Sequence, residues 1–189
     1  MGILLNSLQA ADCEGICNPK VSEGVTMQKN DSPHSFPDLS AMPLISVFGG
    51  RDVPQDILQA AEAFGAIAAQ QGWIILNGGK NGVMEAVSKG VRDAGGLSIG
   101  ILPGEDYSEA NPYLQVALRT GIGLARNEIL ARAAHVCVAI GGHYGTLSEI
   151  AYALNYGTPV ISLRSWGIEG VIPASNAEDA AAKVKAALP

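Results

Sequence analysis

From Leu44 onward, short runs of apolar, largely β-branched residues alternate with longer stretches whose apolar positions recur every three or four residues. The short runs predict strands at Leu44 to Phe48, Trp73 to Leu76, Leu97 to Leu102, Gln115 to Leu118, His135 to Ile140 and Pro159 to Leu163. Helices are predicted between them: Pro54 to Gln71, ending at Gly72; about Asn81 to Ala94, ending at Gly95-Gly96; Leu124 to Ala134; Thr146 to Tyr156, before Gly157; and Ser175 to Leu188. The internal strands are nearly all apolar, as strands covered on both faces must be. Alternation with helices implies right-handed crossovers, and hence a single Rossmann-like, doubly wound parallel sheet with helices on both faces, spanning residues 44–189.

Residues 1–43 have no such periodicity and mix Ser, Asn, Asp, Pro and Gly, which predicts a disordered leader. Its start, Met1-Gly2-Ile3-Leu4-Leu5-Asn6-Ser7, is one residue out of register for N-myristoylation, and no basic segment precedes the short apolar stretch as in a secretory signal. A start placed too far upstream, with Met27 or Met42 as later options, is the plain alternative.

Composition narrows the function. The chain is 48% apolar and only 16% charged, with a mean hydropathy of +0.20. That is rich for a soluble monomer, so a homodimer or homotetramer is expected. Leu147, Ile150, Ala151 and Leu154 are candidates either for that interface or for the sheet. No apolar run reaches the roughly 18 to 20 residues of a membrane helix. A net charge of −6 argues against a nucleic-acid partner, so any anionic ligand must be gripped locally. Cys13, Cys17 and Cys137 make no disulfide framework, which fits a cytoplasmic protein, and Cys137 reads as a small buried apolar residue. His135 reads as the start of a strand, and no protein-ligated metal is expected.

Three glycine-rich turns follow predicted strands: Gly49-Gly50-Arg51, Gly78-Gly79-Lys80-Asn81-Gly82 and Gly141-Gly142-His143-Tyr144-Gly145-Thr146. In an open parallel sheet such turns lie where helix N-termini present free N–H groups and the positive end of the dipole. Together they predict a site for a small phosphate-bearing ligand. Neither a P-loop spacing nor a dinucleotide fingerprint is present, because Arg126 stands where Gly121-x-Gly123 would need a third small residue. Arg126 lies on the first turn of a predicted helix, where a cation opposes the dipole, and this favours a ligand contact. Thr146-Leu147-Ser148-Glu149 has the form of a capping box, so Glu149 is either a helix cap or a functional carboxylate. His143, Lys80 and Arg51 are weaker candidates. Asn111-Pro112-Tyr113, with Glu105, Asp106 and Glu109 before it, reads as a loop over the pocket mouth.

The ordered segments Gly78-Gly79, Gly82-Val83-Met84-Glu85-Ala86, Ile99-Gly100-Ile101-Leu102-Pro103-Gly104, Thr120-Gly121-Ile122-Gly123, Ala125-Arg126-Asn127 and Gly141-Gly142-x-x-Gly145-Thr146-x-x-Glu149 resemble the molybdenum cofactor carrier proteins. These belong to the wider lysine-decarboxylase-like (LOG-like) Rossmann superfamily, which also contains the cytokinin-activating phosphoribohydrolases. The resemblance implies a molybdenum cofactor carrier or storage protein, with molybdoenzymes as possible partners. It implies that the Gly142 to Thr146 turn cradles a phosphate and that Arg126 and Glu149 face the same pocket. The cofactor-binding set then comprises Gly49, Gly50, Arg51, Gly78, Gly79, Lys80, Gly82, Arg126, Asn127, Gly141, Gly142, Gly145, Thr146 and Glu149. The alternative is a nucleoside 5′-monophosphate phosphoribohydrolase, in which Arg126 and Glu149 are catalytic. Lysine decarboxylation is not implied, since no lysine context for its cofactor is present. Ile140 stands where the hydrolases have Pro, and Asn127 where they have Lys; both departures point to the carrier branch.

Overall fold

The computed structural model describes residues 42–189; residues 1–41, which hold nearly all of the expected leader, lie outside the described part. In chain order the elements are β1 (Leu44–Gly49), α1 (Gln55–Gln70), β2 (Ile74–Asn77), α2 (Val83–Asp93), β3 (Leu97–Leu102), β4 (Val116–Arg119), α3 (Arg126–Ala133), β5 (Val136–Ile140), α4 (Tyr144–Asn155), β6 (Val160–Leu163), β7 (Val171–Ala174) and α5 (Ala177–Ala187). A 3-10 turn at Gly123–Ala125 leads into α3.

The seven strands form one sheet in the order β4-β3-β2-β1-β5-β6-β7, and every neighbouring pair is parallel. The chain winds outward from β1 to β4, then returns to the other side of β1 with β5. The winding direction therefore reverses between β1 and β5, and the crevice beyond their carboxyl ends is where such sheets bind ligands.

Alternating side chains send the core to both faces. Ile45, Val47, Ile75, Val138 and Ile161 pack with Phe64 of α1, Val87 of α2 and Val184 of α5. Phe48, Leu76, Cys137 and Ala139 pack with Leu130 of α3 and Ile150 of α4. Ser46, on that second face, donates to the Leu130 carbonyl at 2.6 Å and ties α3 to the central strand. Contact between α1 and α2 depends on two glycines, since a Cβ at Gly65 would lie 2.3 Å from the Val87 carbonyl and one at Gly90 2.0 Å from the Glu62 carbonyl.

Besides shifts of a residue or two at other element ends, the structure departs from the sequence pattern in three places. β7 was not predicted: it is a four-residue edge strand, half exposed, with Pro173 inside it, so it carries almost no apolar signal. Pro54 precedes α1 as its capping position instead of occupying its first turn. Most consequentially, α4 starts at Tyr144, two residues before the predicted Thr146, and Thr146-Leu147-Ser148-Glu149 is not a capping box. His143 holds the cap position, and no side chain caps the helix. As for the proposed interface positions, Ile150 is fully buried and Leu154 packs against the second core cluster, whereas Ala151 is exposed.

Candidate functional site

The glycine turn between β5 and α4 forms one wall of a cleft. Gly141 and Gly142 have φ of +54° and +100°, successive values that only glycine adopts without strain. A Cβ on Gly142 would lie 2.2 Å from Thr146 Oγ1. From behind, Ser165 Oγ donates to the Gly141 carbonyl and Trp166 Nε1 to the His143 carbonyl, at 3.3 Å for the latter. The first intrahelical bond is Leu147 N–H to His143 O, at 3.0 Å. Consequently the successive N–H groups from Gly142 to Thr146 donate to no acceptor among the described residues. A run of free N–H groups at a helix N-terminus is an anion-binding concavity.

Opposite it stand the first residues of α3. Arg126 is only 6% exposed, and its Nη1 lies 3.2 Å from Glu149 Oε1. The helix geometry explains the pairing. Because α4 begins at Tyr144, Glu149 falls on its inward side, away from the N-terminal N–H groups and toward α3. Its carboxyl meets a guanidinium, and Arg126 has no other acidic partner among the described residues. Burial pushes the Glu149 carboxyl up to about 7, against the downward pull of Arg126. Burial likewise pulls Arg126 down while Glu149 holds it up; the guanidinium stays charged. Two buried polar atoms here have no partner among the described residues: Arg126 Nε and Asn127 Oδ1. Buried groups of this kind are seldom left empty, which points to a ligand or solvent.

The second glycine turn supports Arg126. A Cβ on Gly78 would lie 2.3 Å from Arg126 Nη2 and 2.7 Å from its Cζ, so the guanidinium lies against bare backbone. Asn77 Oδ1 accepts from Gly79 N–H at 2.7 Å while its Nδ2 donates to Ser88 Oγ at 3.0 Å. Asn111, 7% exposed, donates through Nδ2 to the carbonyls of Gly79 and Lys80, both at 3.1 Å. Asn111-Pro112-Tyr113 thus begins with a clamp on the turn. Lys80 pairs with Glu109 at the surface. The first turn docks on the second through Val83 N–H to Gly50 O, 3.0 Å, and Gly82 is obligatory there, as its Cβ would meet Arg51 O at 2.4 Å.

These elements enclose a cleft of about 280 Å³. Of the residues expected in the site, Gly49, Gly50, Arg51, Lys80, Arg126, Asn127, Gly145, Thr146 and Glu149 line it, as does His143. Gly78, Gly79, Gly82, Gly141 and Gly142 do not; they shape the turns behind the wall, and Gly141 and Gly142 border a shallow hollow with Arg164, Ser165, Trp166 and Gly167 instead. Asp52, Met84, Pro103 and Leu124 line the cleft and were not expected. Met84 and Pro103 lie within segments that carry the family resemblance, and Asp52 and Leu124 directly beside quoted glycine turns, so position in or next to a motif was the available signal. His135 stands before β5, its Nδ1 accepting from Leu44 N–H at 3.0 Å. Among the described residues no group of three or more His, Cys, Asp or Glu is placed to hold a metal, and no helix is long and apolar enough to cross a membrane.

The family model described as the SLOG cluster4 family matches residues 42–188. The chain belongs to that family. Within the wider set of relatives, a protein of Archaeoglobus fulgidus is 38% identical over 120 residues, which is 64% of this chain and 79% of its own. Among solved structures, the molybdenum cofactor binding protein of the phototrophic bacterium Rippkaea orientalis is similar with a TM-score of 0.73 and 36% identity, over 77% of this chain and 96% of that one. The molybdenum cofactor carrier protein of Chlamydomonas reinhardtii follows at 0.70 and 34%, over 77% and 97%. The all-parallel sheet of this SLOG cluster4 member is therefore the Rossmann-like architecture of those two proteins, over nearly their whole length.

Proposed function

We propose that this protein binds the molybdenum cofactor as cargo, holding the pterin's phosphate in the cleft between β1 and β5, and carries or stores it. The observation that carries the reading is the set of unpaired N–H groups on His143, Gly145 and Thr146, residues that line the cleft together with the buried Arg126, whose Nε also lacks a partner among the described residues. A phosphate supplies acceptors for all of these donors. The two cofactor-binding relatives, at 36% and 34% identity, support the choice of ligand. The remaining predicted residues act around the phosphate: Gly49, Gly50, Arg51 and Lys80 also line the cleft, while Gly78, Gly79, Gly82, Gly141 and Gly142 keep the turns in shape. At about 280 Å³ the cleft is at the small end of ligand pockets, so the phosphate is enclosed while the rest of the ligand lies toward the mouth, near Leu124 and His143. Molybdenum is held in this reading by the pterin dithiolene, not by protein side chains.

Protein purified from a cofactor-producing host is expected to retain molybdenum and pterin together, and Arg126→Ala to lose both. Wild-type protein that neither retains nor protects the cofactor would falsify the reading. The same reading places the protein in a reducing cytoplasm with molybdoenzymes as recipients. It also expects a homodimer or homotetramer, because Val116, Leu118, Ile122, Leu124 and Ile129 are exposed on and after β4; a monomeric mass by sedimentation would remove that part.

A second reading, hydrolysis of a nucleoside 5′-monophosphate to base and ribose 5-phosphate, is favoured by the direct contact of Arg126 with Glu149 inside the cleft. In that case incubation with AMP releases adenine, and Glu149→Gln and Arg126→Ala each lower the rate by about two orders of magnitude. Equal inertness of all three proteins leaves the carrier reading.

A further inference from the structure

Asn127 follows Arg126 in the first turn of α3 and is only 3% exposed. The two ends of its amide are chemical opposites, an acceptor oxygen and a donor nitrogen, and its neighbours decide which end is free. Ser148 Oγ donates to the Gly145 carbonyl at 2.7 Å. A hydroxyl has one hydrogen, so Ser148 can then only accept from its other neighbour. That neighbour is Asn127, whose Nδ2 lies 3.0 Å away. The amide is thereby oriented, and Oδ1 is its free end. Oδ1 is buried with no partner among the described residues, on a side chain that lines the cleft beside Arg126, Thr146 and Glu149.

This acceptor is out of keeping with what surrounds the anion. The unpaired N–H groups of His143, Gly145 and Thr146 and the Arg126 guanidinium are all donors, and the Glu149 carboxyl is already paired with Arg126. A ligand made only of acceptors satisfies them and leaves Oδ1 empty, at the cost of a buried unpaired group. Lysine, which the resembling hydrolases carry at this position, is a donor only, so Asn127 reverses the polarity of the site at this point. Resting on the anion reading of the cleft, we propose that Asn127 Oδ1 accepts a hydrogen bond from the bound ligand, so that the cleft selects anions bearing a donor. That donor is the hydrogen of the phosphate itself, or a hydroxyl or N–H on the organic group beside it.

Two pairs of probes separate these sources, measured by titration calorimetry on the full chain at about pH 8, where phosphate monoesters are fully ionised. Hydrogen phosphate and sulfate are both dianions and differ by one hydrogen. Ribose 5-phosphate and methyl phosphate carry the same headgroup and differ in neighbouring hydroxyls. The expected result is a preference of about tenfold or more for the donor-bearing member of at least one pair, the usual consequence of leaving a buried acceptor unmade. Asn127→Leu removes the acceptor, and Ser148→Ala frees the amide to turn. Both should bring the ratio within about twofold of unity, chiefly by raising the affinity for the donor-free member, whose binding no longer leaves a buried acceptor unpaired. Where Asn127→Leu folds, its ratio decides; where it does not, that of Ser148→Ala does. Ratios near one for the wild type in both pairs overturn the proposal, as does a preference that survives in the deciding variant. Failure of the wild type to bind any of the four anions removes the anion reading itself, and the role of Asn127 with it.

Discussion

Two groups of glycines in this protein look alike in the sequence and do opposite things. At the α1–α2 crossing, Gly65 and Gly90 give their missing side chains to the other helix: an added Cβ would strike backbone carbonyls at 2.3 and 2.0 Å. At the cleft, Gly145 faces nothing within 4 Å of where its Cβ would stand. In the first case protein occupies the space, and in the second the space is free for a ligand. A glycine therefore indicates a close approach but not what approaches. The neighbours settle that, and they come from elsewhere in the chain.

The largest expected effect breaks the packed member of the pair. Gly90→Ala gains helix propensity of about 1 kcal/mol but must push the Glu62 carbonyl away, and an over-packed backbone contact costs more than that. We expect a net loss of about 2 to 3 kcal/mol, read as a fall in Tm of roughly 5 to 10 °C by thermal denaturation. Phosphate affinity of the still-folded protein should stay within about twofold of wild type, since the crossing lies away from the cleft. A Gly90→Ala protein as stable as wild type would mean that the helices separate freely, and the contrast with Gly145 would lose its basis.

The sheet was legible before the site was. Six of the strands and all five α-helices follow from apolar periodicity and glycine stops: the five inner strands are covered on both faces and must be apolar, and the exposed edge strand β4 still reads Val-Ala-Leu. β7 escaped because an exposed edge strand containing Pro173 leaves no such trace. Within the site, Arg126 was legible from the misfit of a cation at a helix start. Glu149 was visible as a residue but open between a helix cap and a functional carboxylate; the start of α4 two residues early removes the cap and leaves the carboxylate paired with Arg126. Gly78 and Gly82 were read as ligand glycines, yet their space is filled by Arg126 and by the Arg51 backbone. Asn77 and Ser88, which help fix the second turn, carry no periodic or motif signal, and Asn111 was legible only as part of a loop over the pocket mouth. Side chains whose only task is to satisfy a turn can be found from hydrogen bonds alone.

The open glycine gives the next effect in size. Gly145→Ala adds a methyl group where there is space and places a better helix former in the first turn of α4, so stability should be unchanged or higher by up to about 1 kcal/mol. The same methyl stands on the cleft wall beside the free N–H groups and keeps an anion from them. Affinity for phosphate should fall about tenfold by calorimetry, comparable to the loss of one charge-assisted hydrogen bond. Stability lost without a change in affinity would place Gly145 with Gly65 and Gly90.

The smallest effect concerns pH and tests whether the open side of the comparison is also the electrically adjustable one. Glu149 is buried beside Arg126, and its carboxyl titrates near 7, well above the ordinary value of 4.5. Because the folded state holds this proton more tightly than the unfolded chain, the group's contribution to stability is full below about 4.5 and is lost as pH rises through about 7. The same proton governs anion binding. At pH 6 the carboxyl is largely neutral and the Arg126 charge is available to the ligand; at pH 8 a carboxylate offsets that charge and repels the anion. Sulfate is the suitable probe, because it does not change its own charge across this range. Its affinity should fall about fivefold between pH 6 and pH 8, and Glu149→Gln, neutral throughout, should flatten the profile near the tight limit. A sulfate profile that stays equally steep in Glu149→Gln would show that Glu149 does not carry the proton that governs anion binding and is ionised beside Arg126 throughout.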